Sequence, residues 1–355
     1  MGVAKAFQII DANTSGRKVT PKEDCPNAHL DGSSLLYSRI LKVESALLVK
    51  DFRKSAKLQP TLKVVRERVA PILAKSINRT LDNTYNKSNN VHFDGPGTIQ
   101  KKFAHSRRAK SRGKGLHSFQ EIVKAINDRL DVLEAKPAVS RGQLSRIFAM
   151  VKKSLVRSWK AIRKVDQTTL SELARILKAD HGWNCHTCTG QMDICIAKEA
   201  LADKEIVAIS QDSDLLFTGI KTLVRFKPKG NTFVEYPVKK IFTSLGIKSL
   251  EAWIACAVLT LNDYDSSAAR QSFGPIVKAV SDIYTKYRHS KDRTAIRLVE
   301  IYCQEQKVSV TDIHNSVESF IELREDLDPD HDSSNDKVDE AVRAIFVRVE
   351  GLRSR

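Results

Sequence analysis

Six aspartates stand at or just past the ends of apolar runs, where their side chains could share one metal-binding pocket. They are Asp31 in AHLDGSS, Asp94 in VHFDGPG, Asp193 in GQMDIC, Asp212 and Asp214 in AISQDSDLL, and Asp263 in LNDYDSS. Converging carboxylates repel each other unless a divalent cation lies between them. Their oxygens suit Mg²⁺ or Mn²⁺, and two such ions about 3.5–4 Å apart can activate water and stabilise the leaving oxygen of a phosphodiester. Taken singly, each aspartate is also consistent with a helix cap or an Asp-Gly turn.

A basic run indicates what such a pocket would act on. Residues 101–114, KKFAHSRRAKSRGK, contain seven cationic residues and no acid, and the chain carries a formal net charge of +17 with a pI near 9.6. This surplus favours a polyanion, because neutralising phosphates releases condensed counterions. The net positive charge could instead serve binding to an anionic membrane surface or simply solubility. The basic run at residues 101–114 could instead be a solvated helix face or a nuclear import signal. His105 and His117 are interpreted as phosphate contacts.

The elements that would position these residues alternate along the centre of the chain. EIVAIS, KTLVRF and TFVEY read as strands, VHFDGPG as a short strand ending in a turn, and DICIAKEAL and SLEAWIACAVLTL as helices. Residues 34–82 have helical periodicity, interrupted at Pro60 and Pro71, and the sequence after Asp265 reads as helical. This alternation predicts an α/β sheet whose ligand lies outside the carboxyl ends of the strands.

Composition narrows the class of protein. The 355 residues can bury a full core, no internal repeat is visible, and EDLDPDHDSSNDKVDE reads as a mobile acidic segment before a last helix. No apolar run approaches the roughly 20 residues of a membrane span, and the start lacks a signal peptide, so we expect an intracellular, soluble protein.

The six cysteines are scattered along the chain, so we expect reduced thiols and not a framework of disulfide bonds. CHTC at 185–188, with His181 and His186 nearby, has zinc-binding residue types but no second pair, and is interpreted as a loop entering the next helix.

Five motifs, in order from Met1 to about Pro275, resemble the flap endonuclease family, which includes the repair nuclease of the xeroderma group G type and related 5′ exonucleases. HLDGSSLLY and VHFDGPG are similar to its first two acidic motifs, and TGQMDICIAKEAL to its Gly-Glu-Ala-Glu helix. AISQDSDLLFTG is similar to its strand followed by Asp-x-Asp, and LNDYD to its Gly-x-Asp-Tyr motif. The resemblance implies a PIN-like, mostly parallel sheet flanked by helices, with a helical arch and a C-terminal region containing a helix-two-turn-helix-like element.

The resemblance also implies roles for individual residues. Asp31, Asp94 and Asp193 would hold a first metal ion, and Asp212, Asp214 and Asp263 a second. Lys101 and Arg108, seven and fourteen residues after Asp94, match the arch cations that clamp the scissile phosphate. Tyr37 would stack on a substrate base, although a helix-face core residue is the alternative. Further nucleic-acid contacts are expected at Gly2, Lys102, Arg107, Lys110, Arg112, Lys114 and Gly274.

The sequence departs from the family pattern at three points. Gln191 stands where the family has its first glutamate, so the pocket has one negative charge fewer and should bind its cations less tightly. Asp193 is one methylene shorter than the second glutamate. Ser272 replaces a glycine in SSAARQSFGPIVKAV, where Gly274 and Pro275 are placed at the turn, so a K⁺ ion held there by backbone carbonyls is a weaker expectation.

Together these features predict a metal-dependent endonuclease that cleaves branched or 5′-flapped DNA in repair or replication. The alternatives are an attenuated nucleic-acid-binding regulator, which Gln191 favours, and a ribonuclease of the same fold. Expected cofactors are two Mg²⁺ or Mn²⁺ ions; expected partners are flap or junction DNA, with RNA as an alternative, and neither a membrane nor a small-molecule cofactor. We expect a monomer in the nucleus, or in the cytoplasm for the regulator. The predicted regions are residues 1–99 and 181–262 (nuclease), 100–180 (basic arch), 263–322 (helix-two-turn-helix-like) and 323–355 (acidic tail).

Overall fold

The structure is a computed structural model. It describes residues 3, 5–37, 39–43, 62–95, 102–135, 167–227, 232–260, 272–290 and 292–307, and single positions at 140, 142, 143, 145, 146, 149 and 165. Within these ranges, the side chains of residues 62–69, 102–116, 118, 167 and 168 are outside the description. Of the predicted site residues, Gly2, Lys101 and Asp263 lie outside the described residues.

Within the described residues, seven strands form one sheet in the order β1-β7-β6-β5-β2-β3-β4. Their bounds are β1 Arg17–Val19, β2 Ala28–Asp31, β3 Asn90–Phe93, β4 Asn184–Thr187, β5 Val207–Ile209, β6 Thr222–Lys227 and β7 Thr232–Pro237. The strands from β6 to β4 in this order pair in parallel, while β7 pairs antiparallel with both β6 and β1. The predicted mostly parallel α/β sheet is confirmed.

Helices contain most of the remaining described residues. Their bounds are α1 Ala6–Asn13, α2 Pro21–Asp24, α3 Leu62–Asp82, α4 Lys102–Glu134, α5 Gln167–His181, α6 Met192–Ala202, α7 Val238–Leu245, α8 Leu250–Leu259, α9 Phe273–Lys286 and α10 Ala295–Gln306. Residues 32–37 and 39–43 are also helical, and Asp214–Phe217 forms a 3₁₀ turn. The expected interruption at Pro71 is wrong, because α3 continues through this residue.

Two short strands were not predicted. β1 has three residues and joins the sheet only through β7. β4 contains most of CHTC, so its interpretation as a loop is wrong: Cys185 and His186 pair in register with Val91 and His92 of β3. β4 is an edge strand on which three of four side chains are exposed, so it lacks the apolar run that marks a buried parallel strand.

The main apolar core lies around α8, in which every residue from Ala252 to Leu259 is buried. The Trp253 ring stacks on Phe217 with ring centroids 4.5 Å apart, and its indole N–H donates to the Leu216 carbonyl at 2.8 Å. Ser249 caps the helix by accepting the Ala252 N–H at 3.1 Å. Among the described residues no single helix has the length and hydropathy of a membrane span; α7 and α8, bent by 76°, pass that test only as a pair.

The described residues form two compact units. The first contains those within Met1–Leu36, Asn78–Ser106 and Leu177–Pro329, and the second those within Tyr37–Ile77 and Arg107–Ile176. The first unit holds the whole described sheet. The second is helical throughout its regular elements. The domain boundaries given from the sequence stay a prediction.

Candidate active site

Three neighbouring parallel strands bring four of the predicted acids to one edge of the sheet. Asp31 is the last residue of β2, Asp94 directly follows β3, and Asp212 and Asp214 follow β5. β2 pairs with β3 on one side and with β5 on the other, so the chain changes its winding direction at β2. Crevices at such switch points, outside the carboxyl ends of the strands, are where α/β sheets bind ligands.

Asp31 is held in one orientation at the bottom of this edge. Only 1% of its surface is exposed; Ser210 Oγ donates to its Oδ2 at 2.5 Å and the Ser34 N–H to its Oδ1 at 2.7 Å. Burial, and to a smaller extent the charge of Asp94, raise the pKa of Asp31 to about 6 in spite of these hydrogen bonds. Among the described residues, no positively charged group lowers the pKa of this carboxyl, and a divalent cation would bring such a charge.

Ser210 links Asp31 to the two acids after β5. Its Oγ accepts the Asp212 N–H at 2.8 Å while it donates to Asp31, and Asp212 Oδ1 accepts the Asp214 N–H at 3.3 Å. Asp214 is 2% exposed at the start of the 3₁₀ turn. One buried serine thus fixes the spacing between the acids of β2 and those that follow β5.

The N-terminus of α6 completes the edge. The Met192 N–H donates to Asp94 Oδ1 at 3.3 Å, and the next residue, Asp193, is 5% exposed in the first turn of the helix. The unpaired N–H groups and the dipole of a helix N-terminus favour negative charge at this position. We name Asp31, Asp94, Asp193, Asp212 and Asp214 the acidic edge; its all-oxygen donor set suits hard divalent ions.

Gln191 lies within the same turn. It is the N-cap residue of α6, is 6% exposed, and immediately precedes Met192, whose N–H contacts Asp94. An amide at this position can accept or donate hydrogen bonds but adds no negative charge.

Both Asp-Gly pairs are explained by close packing. A Cβ on Gly95 would lie 2.0 Å from the Cys188 carbonyl oxygen, and one on Gly32 would lie 2.8 Å from the His92 carbonyl oxygen. Neither glycine is among those with positive φ, so the turn interpretation does not account for them. Each glycine allows the chain after an acid to pass directly against a neighbouring backbone.

The predicted phosphate contacts are only partly placed. Lys102, Arg107, Arg108, Lys110, Arg112 and Lys114 lie on the 33-residue helix α4, with side chains outside the description. His117 is exposed on the same helix and lies 3.7 Å from Glu121. Tyr37 ends the helical residues 32–37 and is 40% exposed, so a fully buried core role is wrong.

Gly2 and Gly274 lie near the two ends of the region that contains the predicted motifs. Gly2 is outside the described residues, but the carbonyl of its neighbour Val3 accepts a hydrogen bond from Ser213 Oγ at 3.3 Å, between Asp212 and Asp214. Gly274 and Pro275 lie inside the first turn of α9, which begins at Phe273, so their placement at a turn is wrong. The roles of both glycines in binding stay predictions.

A second cluster of ligand-type side chains was missed by reasoning from the sequence. His29 and His92 lie two residues before Asp31 and Asp94, and both contact Glu199 of α6. The signal was the repeated His-x-Asp-Gly in HLDG and HFDG. Residues two apart on a strand share one face, so each histidine shares a face with its acid.

Comparison with known proteins identifies the fold. No family model and no curated protein matches the chain. Among solved structures, the catalytic core of Rad2 in complex with DNA substrate aligns over 92% of this chain and 88% of its own, with a TM-score of 0.51 and 12% identity. This chain has the flap endonuclease-like PIN fold.

Other solved structures with this fold align less well. Flap endonuclease-1 from Methanococcus jannaschii aligns over 99% of both chains at 12% identity, with a TM-score of 0.45. Human GEN1 in complex with Holliday junction DNA covers 90% of this chain and 66% of its own at 13% identity, also with a TM-score of 0.45. At 12% identity, the alignment with the Rad2 structure shows the fold alone, and the chemistry has to be argued from the residues of the site.

Proposed function

We propose that this chain is a metal-dependent phosphodiesterase that cleaves branched or flapped DNA, of the 5′ flap type. The observation that carries the proposal is the hydrogen-bonded chain through Ser210, which links Asp31 to Asp212 and Asp214 at the switch point of the sheet. The Rad2 structure with the same fold is a complex with DNA substrate. The formal net charge of +17 is the charge a polyanionic substrate requires.

The acids divide into two sets that would each hold one Mg²⁺ or Mn²⁺ ion. Asp31, Asp94 and Asp193 form the first set; Asp212, Asp214 and the undescribed Asp263 form the second. Bound ions would supply an activated water and stabilise the leaving oxygen. The all-oxygen donor set and the deep burial of Asp31 support this assignment.

The surrounding residues act by holding the acids in place before substrate binds. Ser210 and the Ser34 N–H fix both oxygens of Asp31, and the Met192 N–H fixes one oxygen of Asp94. A preorganised site avoids reorganisation when charge develops in the transition state. Their contribution is to rate more than to substrate affinity.

The basic run would hold the nucleic acid. In this proposal Lys101 and Arg108 contact the scissile phosphate, the other cations of residues 101–114 contact neighbouring phosphates, and Tyr37 stacks on a base. Tyr37 is 40% exposed, which supports a surface role for this residue. A nuclear location would follow from a role in DNA repair or replication.

The second candidate is a nucleic-acid-binding protein whose cleavage is attenuated. Gln191 favours it, because this buried amide lies at the N-cap of α6 beside the residues that hold Asp94 and Asp193. An amide in place of a carboxylate weakens the binding of cations at the acidic edge and does not disturb contacts of the basic run with phosphates. The function would then be the binding of nucleic acid without cleavage.

A cleavage assay decides between them. Purified protein is mixed with labelled 5′-flap, hairpin and single-stranded DNA or RNA, with Mg²⁺, Mn²⁺ or a chelator. We expect metal-dependent cleavage of the flap that falls about a thousandfold in Asp212→Asn, because this isosteric change removes a charged metal ligand worth several kcal/mol. Tight flap binding with no cleavage above the Asp212→Asn level would establish the second candidate, and RNA cleavage alone would establish a ribonuclease.

A further inference from the structure

Three ligand-type side chains outside the acidic edge converge within the first compact unit. The potential ligand atoms of His29, His92 and Glu199 all lie within 4.8 Å of one another. His29 Nδ1 lies 2.8 Å from Glu199 Oε2 and 3.0 Å from His92 Nε2, and His92 Nε2 lies 3.9 Å from Glu199 Oε2. We name these three residues the histidine–glutamate cluster. We propose that the cluster is a binding site for one zinc-class transition-metal ion.

The spacing of the atoms fits such an ion. A tetrahedral ion with bonds of about 2.0–2.1 Å holds its ligand atoms about 3.3–3.4 Å apart. The separations of 2.8, 3.0 and 3.9 Å bracket this value. The three atoms therefore form one face of a coordination tetrahedron after shifts of a few tenths of an ångström.

Hydrogen bonds alone do not satisfy the cluster. The Asn90 amide nitrogen lies 3.0 Å from His29 Nε2, so a neutral His29 carries its proton on Nδ1. That single proton faces both Glu199 Oε2 at 2.8 Å and His92 Nε2 at 3.0 Å. One N–H cannot make two linear hydrogen bonds, whereas one cation accepts a lone pair from all three atoms.

The surroundings of the histidines match those of metal-bound imidazoles. Such a ring donates its second N–H to a nearby acceptor. The oxygen and nitrogen of an amide side chain are distinguished only by their hydrogen bonds. If the two atoms of the Asn90 amide are exchanged, its oxygen lies 3.0 Å from His29 Nε2 and accepts the N–H of that nitrogen. His186 Nε2, which lies 3.0 Å from the other amide atom, then accepts from the nitrogen.

Imidazole nitrogens select the class of ion. Two nitrogens and one carboxylate oxygen suit zinc and its neighbours, whereas Mg²⁺ prefers oxygen alone. His29 and His92 are 4% and 1% exposed, while the Glu199 side chain is 50% exposed. A water molecule on the exposed side of Glu199 would complete a four-coordinate shell.

The nearby cysteines are outside this ligand set. Cys188 Sγ lies 4.0 Å from His92 Nδ1, the ring nitrogen that faces away from the cluster. Neither cysteine of CHTC belongs to the group of side chains whose ligand atoms lie within 4.8 Å of one another. The zinc site considered for this motif is therefore assigned instead to the histidine–glutamate cluster.

The position of the cluster gives the ion a structural role. His29 and His92 lie two residues before Asp31 and Asp94, and Glu199 lies six residues after Asp193. One ion would thus tie β2, β3 and α6 together at a distance of about 6.6 Å along the strands from the acids. It would fix α6, and with it the first turn that carries Asp193, against the sheet.

Zinc titration of the full chain tests the proposal. Chelator-stripped protein is titrated with Zn²⁺ against a chromogenic chelator, with excess Mg²⁺ present to occupy the acidic edge. We expect one tightly bound equivalent in the wild type, at least about tenfold weaker binding in Glu199→Gln, and a larger loss in His29→Asn. Glu205→Gln, changed at an exposed glutamate outside the ligand set, is the matched control that should bind zinc as the wild type does.

A Co²⁺ spectrum adds a readout that is independent of cleavage. Tetrahedral Co²⁺ should give visible absorption bands in the wild type that are lost in Glu199→Gln. If His29→Asn does not fold, Glu199→Gln, changed at a half-exposed position, decides alone. No stoichiometric zinc in the wild type, or equal affinity in the wild type and Glu199→Gln, overturns the proposal. Neither result depends on whether the protein cleaves DNA.

Discussion

The acidic edge and the histidine–glutamate cluster share two strands and one face of the sheet, two residues apart, but differ in donor chemistry and exposure. The acidic edge lies at the carboxyl ends of β2, β3 and β5 and offers only oxygen. The histidines of the cluster lie two residues before Asp31 and Asp94 and contact Glu199 of α6, so the cluster offers two nitrogens and one oxygen as ligands. The period-2 geometry of a strand therefore places the histidines of the cluster on the same face of the sheet as Asp31 and Asp94, and α6 supplies the remaining member of each set, Asp193 or Glu199.

The comparison explains why α6 is central to both regions. Its first turn carries Asp193 and the N–H that contacts Asp94, and Glu199, further along the helix, contacts both histidines. A change that displaces α6 should damage both regions, whereas a change within one ligand set should damage one.

The largest effect is expected from Gly95→Ala. Its Cβ would lie 2.0 Å from the Cys188 carbonyl, so β4 or the segment after Asp94 has to move, and the entry to α6 moves with it. We expect the free energy of unfolding, measured in urea, to fall by about 3 kcal/mol. Cleavage and zinc affinity should both fall.

Gly274→Ala is the matched control. A Cβ there meets its nearest atom, in Ile9, at 3.4 Å, and the residue lies in the first turn of α9. Alanine in a helix should leave stability unchanged or raise it by up to about 1 kcal/mol. Equal destabilisation by the two changes would show that the close approach at Gly95 does not hold the two regions together.

The two regions also differ in how far the sequence predicts them. The acids stand at the ends of apolar runs, so the sequence predicts that Asp31, Asp94 and Asp212 lie together at one edge of an α/β sheet. For the histidines, the repeated His-x-Asp-Gly is a signal in the sequence, but it does not show that His29 and His92 meet. Pairing His29 with His92 requires the register of β2 on β3, which is set by non-local contacts. β4 was missed for a related reason, because its pairing with β3 compensates for its polar sequence.

A gain is expected from Gln191→Glu. This change adds a negative charge at the N-cap of α6 beside Asp94 and Asp193, so the acidic edge should bind Mg²⁺ more tightly. We expect the Mg²⁺ concentration for half-maximal cleavage to fall and the rate at low Mg²⁺ to rise about tenfold. Gln304→Glu, the same change at an exposed position on α10, should alter neither quantity. An unchanged Mg²⁺ dependence would show that Gln191 does not limit this pocket.

Ser210→Ala is expected to have the smallest effect, confined to the acidic edge. The change removes the hydroxyl that donates to Asp31 and accepts from the Asp212 N–H, and it leaves every ligand in place. The net loss of about 1 kcal/mol in positioning corresponds to a fall in cleavage rate of about fivefold. A positioning role predicts that the half-maximal Mg²⁺ concentration rises and that excess Mg²⁺ recovers part of the rate, with zinc affinity unchanged. A lower unfolding free energy with an unaltered Mg²⁺ dependence would instead assign Ser210 to packing alone, and the link between β2 and β5 would have no part in catalysis.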